Sequence, residues 1–316
     1  MLRRVIGAPQ HYDWGDPTFI PDLFQLPGNS QPWAEMWFGT HPSAPSRLDT
    51  ADGPLLSDNI GEMTMLVKVL ACTSPLSLQT HPTRQQAERG FARENAAGIS
   101  LSDPKRVYKD SSDKPEILIA LTEFEALCGF DTIEASIERL QQFGWREEAD
   151  VLDQNGIDGY LLWAFDQRTS PSMNAVPGWM QRLSDAYPTD RALRVAPLLH
   201  HIVLQPGQAI SLPAGNLHAY LHGAGLEVMA SSDNVVRAGF TSKHVDVAEL
   251  LRIVDTSPLE SPISPTFVNN HWTEYASPSP AFSVASTTWE NLHTVEASSA
   301  HRFFFGPLGD DARPDM

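Results

Sequence analysis

The stretch Ser77-Leu78-Gln79-Thr80-His81-Pro82 sets a glutamine and a histidine one residue apart. Alternate side chains of an extended strand share a face, so Ser77, Gln79 and His81 project together, and Pro82, which lacks a ladder donor, ends the strand. Glu116 opens the apolar run "PEILIA"; an acid entering a buried strand needs a partner, because an unpaired buried carboxylate is costly. His218 follows the turn "PAGN" and leads into a strand with Tyr220 on its face. Each residue alone has a plainer explanation, as a satisfied strand end, an ion-pair partner or a turn histidine. Together, Gln79, His81, Glu116 and His218 offer two imidazoles, a carboxylate and an amide oxygen. That set suits Zn²⁺ or another borderline divalent ion with room for substrate or water. The competing CxxC and HExxH patterns do not occur.

Cations accompany these donors. Lys68, Lys114, Arg237 and Lys243 lie in or beside the same stretches, and Glu227 and Asp233 share the segment "LEVMASSDNVVRAGFTSKH" with the last two. The chain has 22 Lys+Arg against 39 Asp+Glu, a formal net charge of -17, so its surface repels nucleic acid and anionic membranes and neither is an expected partner. An anionic ligand must then be held by local cations, and several beside one metal suggest a phosphorylated substrate held by charge-assisted hydrogen bonds. A lysine near a divalent cation also has its charged form disfavoured, which suits proton exchange near neutrality.

The elements that must position these groups read as mainly β. Up to residue 130, short strands alternate with Pro and Gly punctuation: "RRVIG", "RLDT", "TMLVKVLA", "LSLQTH", "PEILIAL" and "FEALCGF", with one charged helix in "PTRQQAERGFAREN". Helical signals follow to about residue 195, opening with Asp131 as an N-cap three positions before Glu134. Strands return in "HHIVLQPGQAISLPAGNLHAYL", where Pro206-Gly207 fits the centre of a type II turn. "DVAELLRIV" reads as a helix, "SPLESPISPT" as a linker, and "FSVASTTW" and "HRFFFG" as strands of a shortened last module. The 316 residues, 41 % hydrophobic, allow a substantial core in two or three modules. Two cysteines in no metal or redox spacing, no secretory leader at the start and no membrane-length apolar run make the cytoplasm the expected location.

In order along the chain, "GAPQHYDWG", "AEMWFGTHPSAPS", "SLQTHP", "YKDSSDKPE", "FEALCGF", "LPAGNLHAYL" and "EVMASSDNVVRAGFTSKHVDV" resemble the signatures of type I mannose-6-phosphate isomerases, over residues 4 to about 250. The resemblance implies a monomeric zinc enzyme of the cupin superfamily that interconverts mannose 6-phosphate and fructose 6-phosphate through a cis-enediol. It implies a jelly-roll β-sandwich catalytic domain from 1–130 plus 196–255, a helical insertion over 131–195 and a partial cupin-like module over 256–316. It places Gln79, His81, Glu116 and His218 as metal ligands, Arg237 as the active-site arginine and Lys114 close to the reacting carbons. Ser77, Lys68 and Lys243 match positions that contact substrate or its phosphate, and Glu227 and Tyr220 line the cavity. The candidate bases are Lys114, then Glu227. The family usually carries Asn-His before "KPE", and that histidine is linked to sugar ring opening; this chain has Ser112 and Asp113 there, so Asp113 or another group must do that work. Two alternatives stand beside this reading: a metal cupin oxygenase or lyase using Fe or Mn, which usually pairs two histidines where this chain has Gln79 and His81, and a non-catalytic sugar-phosphate sensor, which shares every predicted binding residue.

Overall fold

The computed structural model describes residues 3–28, 30–288, 290, 291 and 305. In chain order the strands are β1 (Val5–Ile6), β2 (Ala8–Gln10), β3 (Glu35–Phe38), β4 (Arg47–Leu48), β5 (Met65–Cys72), β6 (Leu78–Thr80), β7 (Glu116–Ala120), β8 (Phe124–Phe130), β9 (Leu199–Leu204), β10 (Ala209–Leu212), β11 (His218–Ala230), β12 (Val236–Gly239), β13 (Thr266–Asn269), β14 (Trp272–Tyr275) and β15 (Val284–Ser286). The helices are α1 (Phe19–Phe24), α2 (Leu56–Ile60), α3 (Arg84–Ala96), α4 (Ile133–Gln142), α5 (Arg146–Asp166), α6 (Gly178–Ala186) and α7 (Val247–Ile253).

Ten strands form one antiparallel sheet, and β11 is its seam. The first residues of β11 pair with β6 and β8, and from Gly223 onward it pairs with β5 and β7. The register shifts between Tyr220 and His222, where the strand passes from one half of the sheet to the other. Gly223 makes this passage with φ +112°, and a Cβ there would lie 2.4 Å from the Glu123 carbonyl oxygen, so only glycine fits. β11 therefore joins the two halves, and the strands that carry Gln79, Glu116 and His218 are linked through it.

Period-two alternation divides the strands into two apolar faces. Leu70 and Cys72 of β5, Leu118 and Ala120 of β7, and Ala126 and Cys128 of β8 pack on one face with Tyr220. On the other, Val67, Ile117, Ile119 and Val228 pack against Tyr275 and Phe282 of the C-terminal region. Each such fully buried aliphatic side chain contributes roughly 1.5–3 kcal/mol. Three charged residues, Lys68, Glu116 and Glu227, interrupt the first face while remaining buried.

Most other sequence readings hold. Gly207 has φ +88° and Gln208 N–H donates to the Gln205 carbonyl at 2.9 Å, closing the expected turn between β9 and β10. Helices α4 to α6 fall between β8 and β9 and share a core with Leu127, Ala219 and Leu221. Thr132, not Asp131, caps α4: its Oγ1 accepts from Ala135 N–H at 3.2 Å. Asp131 is drawn instead to Arg139, whose Nη2 donates to it at 2.6 Å. β13 and β14, which the sequence reading did not find, pair with β15 in a separate three-stranded sheet. The strand expected in "HRFFFG" lies, apart from Phe305, outside the described residues. Among the described residues no helix is long and apolar enough to cross a membrane.

Candidate metal centre

Two strand ends and a loop bring the donors together. β6 delivers Gln79, and its register puts Gln79 directly opposite His218 on β11 and opposite Arg237 on β12. Directly opposed residues share a face, so these three side chains leave the sheet on the same side. His81 sits just beyond β6, where Pro82 ends the strand and Thr83 starts α3 through a capping box with Gln86, fixing the chain's exit. β7 supplies Glu116 from its first position, opposite Met229 of β11.

The Nε2 of His81 lies 3.3 Å from Glu116 Oε2, and the Nε2 of His218 lies 3.7 Å from the same oxygen. The three residues are 1 %, 1 % and 2 % exposed, taking His81, His218 and Glu116 in turn. Both imidazoles are held from behind: His81 Nδ1 bonds the Asn234 carbonyl at 2.8 Å and His218 Nδ1 the Asn216 carbonyl at 3.1 Å. A carbonyl can only accept, so each Nδ1 carries the proton and each Nε2 presents a lone pair to the centre. His81 Nε2, His218 Nε2 and Glu116 Oε2 are all buried without a hydrogen-bond partner among the described residues. Such orphaned atoms are rare, and three converging within 4.8 Å of one another fit a divalent cation. Gln79 Oε1 accepts from Ser77 Oγ at 3.0 Å, which orients the amide beside this centre.

Lys114 Nζ is 3.4 Å from Glu116 Oε1. Burial raises the Glu116 pKa, but His81 and then Lys114 outweigh it and hold the carboxyl well below its usual value. A second buried cluster adjoins. Lys68 Nζ lies 3.3 Å from Glu227 Oε2 and 3.6 Å from Glu35 Oε1, and 5.0 Å from the centre of the Trp37 ring. Burial disfavours the Lys68 charge, yet Glu35 and Glu227 reverse this and raise its pKa above the ordinary lysine value. Burial pushes Glu227 up, against the pull of Lys68. Tyr220 donates to Glu227 Oε1 at 2.8 Å, and burial followed by Glu227 raises the Tyr220 pKa well above 10.0.

Arg237 and Lys243 differ from these. Neither side chain has a hydrogen bond or ion pair among the described residues, and they are close enough for Arg237, after burial, to lower the Lys243 pKa. Two adjacent unneutralised cations, one half-buried, form a ready anion site in a chain of net charge -17.

Several groups escaped the sequence reading. Glu35 arrives from β3, where its alternation with Trp37 was the available signal. His41 is buried and 3.3 Å from Asp233. The Asn234 carbonyl orients His81, and no side-chain pattern announces a backbone role. Asp113 is half-exposed and turned away, 3.8 Å from Arg84 at the start of α3, where Arg84 also donates to Ser112 Oγ at 3.4 Å.

A folded antiparallel β-sheet that gathers two histidines and a carboxylate at a buried cation-sized centre, beside an anion site, defines a protein of the metal-dependent β-sheet type. Residues 2–133 match the family model described as phosphomannose isomerase type I, catalytic domain. The mannose-6-phosphate isomerase of Salmonella typhimurium (strain LT2) is 35 % identical over 295 residues, covering 81 % of this chain and 75 % of the relative; that of Escherichia coli K12 is 35 % identical over 288 residues, covering 79 % and 74 %. A crystal structure of mannose 6-phosphate isomerase bound with zinc and yttrium superposes with a TM-score of 0.81 at 30 % identity, covering 90 % of this chain and 82 % of that one. The Salmonella typhimurium structure bound to fructose 6-phosphate and zinc superposes with a TM-score of 0.80 at 29 % identity and the same coverage. The chain belongs to the type I mannose-6-phosphate isomerase family.

Proposed function

We propose that the chain is a zinc-dependent aldose–ketose isomerase interconverting D-mannose 6-phosphate and D-fructose 6-phosphate through a cis-enediol. The observation that carries this is the convergence of three buried donors without a hydrogen-bond partner at those atoms, beside two cations without an ion partner, all among the described residues. His81, Glu116 and His218, with Gln79 as fourth donor, would hold the zinc; when bound, it supplies positive charge that polarises sugar oxygens. A glutamine in this set suits zinc better than an oxygen-activating iron centre, and the two solved relatives described above carry zinc. The family-wide isomerase activity favours turnover over a purely sensory role.

The protein's own groups do the rest. Lys243, Ser77 and Lys68 seat the substrate and its phosphate, and this remote contact orients the reacting carbons. Lys114 moves the proton between C2 and C1, with Glu227 as the second candidate. Arg237 stabilises the charge that develops on the enediolate oxygen, and Tyr220 keeps Glu227 aligned through its hydrogen bond. We assign the catalytic unit to 1–130 plus 196–255, the helical insertion to 131–195 and a partial cupin-like module to 256–316; the clustering of α4 to α6 between β8 and β9 supports this division. A cytoplasmic monomer is the proposed state. Buried, unpaired Cys72 and Cys128 suit a reducing compartment.

A coupled assay for fructose 6-phosphate formation tests the reading. Arg237→Ala and Lys114→Met are each expected to lower kcat by about 100-fold or more, the scale of losing one transition-state donor or an acid–base group. Near-normal turnover in both variants removes the proposal.

A further inference from the structure

This inference rests on the isomerase reading above and concerns what holds its anion site in shape. Arg237 and Lys243 are six residues apart, and an extended chain would separate them by about 20 Å. They are nevertheless near enough for Arg237 to lower the Lys243 pKa. The chain must therefore reverse between them.

Phe240, midway along this stretch, makes the reversal in the left-handed region, with φ +52°. A bulky residue rarely adopts that conformation, and it persists only where neighbours impose it. Those neighbours come from the end of the helical insertion. Asp190, beyond α6, accepts the Phe240 N–H on Oδ2 at 2.6 Å and the Ala192 N–H on Oδ1 at 2.9 Å. The Thr241 N–H also bonds this carboxylate. The Phe240 ring is buried, with the Tyr187 ring centred 5.7 Å away. Gly239 permits the approach, since a Cβ there would lie 2.5 Å from Asp190 Oδ1. Tyr187 also reaches the other side of the site: its hydroxyl donates at 3.3 Å to the carbonyl of Pro75, just before Ser77.

We propose that Asp190 is a positioning residue for substrate binding: it locks the Phe240 turn and so fixes Lys243 beside Arg237, where the phosphorylated substrate is held. The helical insertion thereby sets the affinity for the anionic group without touching it. A carboxylate suits the task, because it offers two oxygens to three N–H donors. Asparagine keeps one oxygen and turns an amide NH₂ toward a donor.

The zinc-loaded full chain is titrated with inorganic phosphate by calorimetry, and KM and kcat for mannose 6-phosphate are measured in the coupled assay. Asp190→Asn, with zinc content unchanged as proof of folding, is expected to weaken phosphate binding and raise KM by about tenfold each, the scale of one contact to a charged group, and to change kcat less than KM. Lys243→Gln should do the same. The double variant should bind phosphate no more weakly than Lys243→Gln alone, because Asp190 acts through that lysine. Thr132→Ala, which removes the α4 cap in the same insertion, should lower stability and leave both constants alone. Tyr187→Leu, which takes the ring from beside Phe240, tests the turn by a separate contact and should shift both constants in the direction of Asp190→Asn. Phosphate affinity of Asp190→Asn within about twofold of wild type, a double variant in which the two losses multiply, or an equal loss in Thr132→Ala overturns this inference alone. A wild type that isomerises nothing removes the isomerase reading; the phosphate titrations then still support this assignment by the difference between wild type and Asp190→Asn, and overturn it by the absence of one.

Discussion

Individual residues here are chosen against the local rule. The face that carries Leu70 and Leu118 also buries Lys68 and Glu227, where an aliphatic residue would be simpler. Lys68 shares its charge between two acids, and removing it strands both in a site 4–7 % exposed. Lys68→Met is therefore expected to destabilise the protein by about 3–5 kcal/mol in urea unfolding, the cost of breaking a buried pair from one side. Adding Glu227→Gln should recover part of that loss, because one stranded charge is gone; strictly additive losses would contradict the shared-cation account. The three converging donors were legible for the reason that makes them costly: His81, Glu116 and His218 are polar residues at positions whose neighbours are apolar. Glu35, His41 and Asn234 were not, because their roles come from partners far away in the chain or from a main-chain oxygen.

At the scale of elements, β11 decides whether a site exists. It carries His218 and Tyr220 in its first half and Glu227 in its second, and the passage at Gly223 sets the two halves against each other. Gly223→Ala must force a side chain into positive φ and against the Glu123 carbonyl, so a loss of about 1–3 kcal/mol in thermal or urea unfolding is expected. Unchanged stability would show that the strand has room this register denies it. The long strands and α3 were readable from alternation and capping residues. The short helix α1, with Pro21 inside its six residues, was not, and β13 lacked alternation because all four of its residues are exposed. The α4 cap was displaced by one residue because an ion pair with Arg139 competes for Asp131.

The whole molecule buries acids, lysines, arginines and histidines together in a chain of net charge -17, and these buried groups shape its response to acid. In the metal-free protein, burial and then His81 lower the His218 pKa from 6.5 to about 4. The unfolded chain takes up that proton below pH 6.5 while the folded one refuses it until about pH 4, so stability falls as pH falls through that window, by about 3 kcal/mol. Glu125, held below 4.5 chiefly by its hydrogen bond with His201, removes more stability at lower pH. Urea midpoints of the metal-free protein at pH 7, 5 and 4 check this. A flat profile would contradict a neutral buried His218.

The central claim is that His81, Glu116 and His218 grip one zinc ion. Anomalous diffraction at the zinc edge from crystals of the active protein tests it most directly. The account predicts one peak per chain, about 2.0–2.2 Å from the Nε2 atoms of both histidines and from Glu116 Oε2. A fully active protein with no peak there, or with its zinc bound elsewhere, would contradict it.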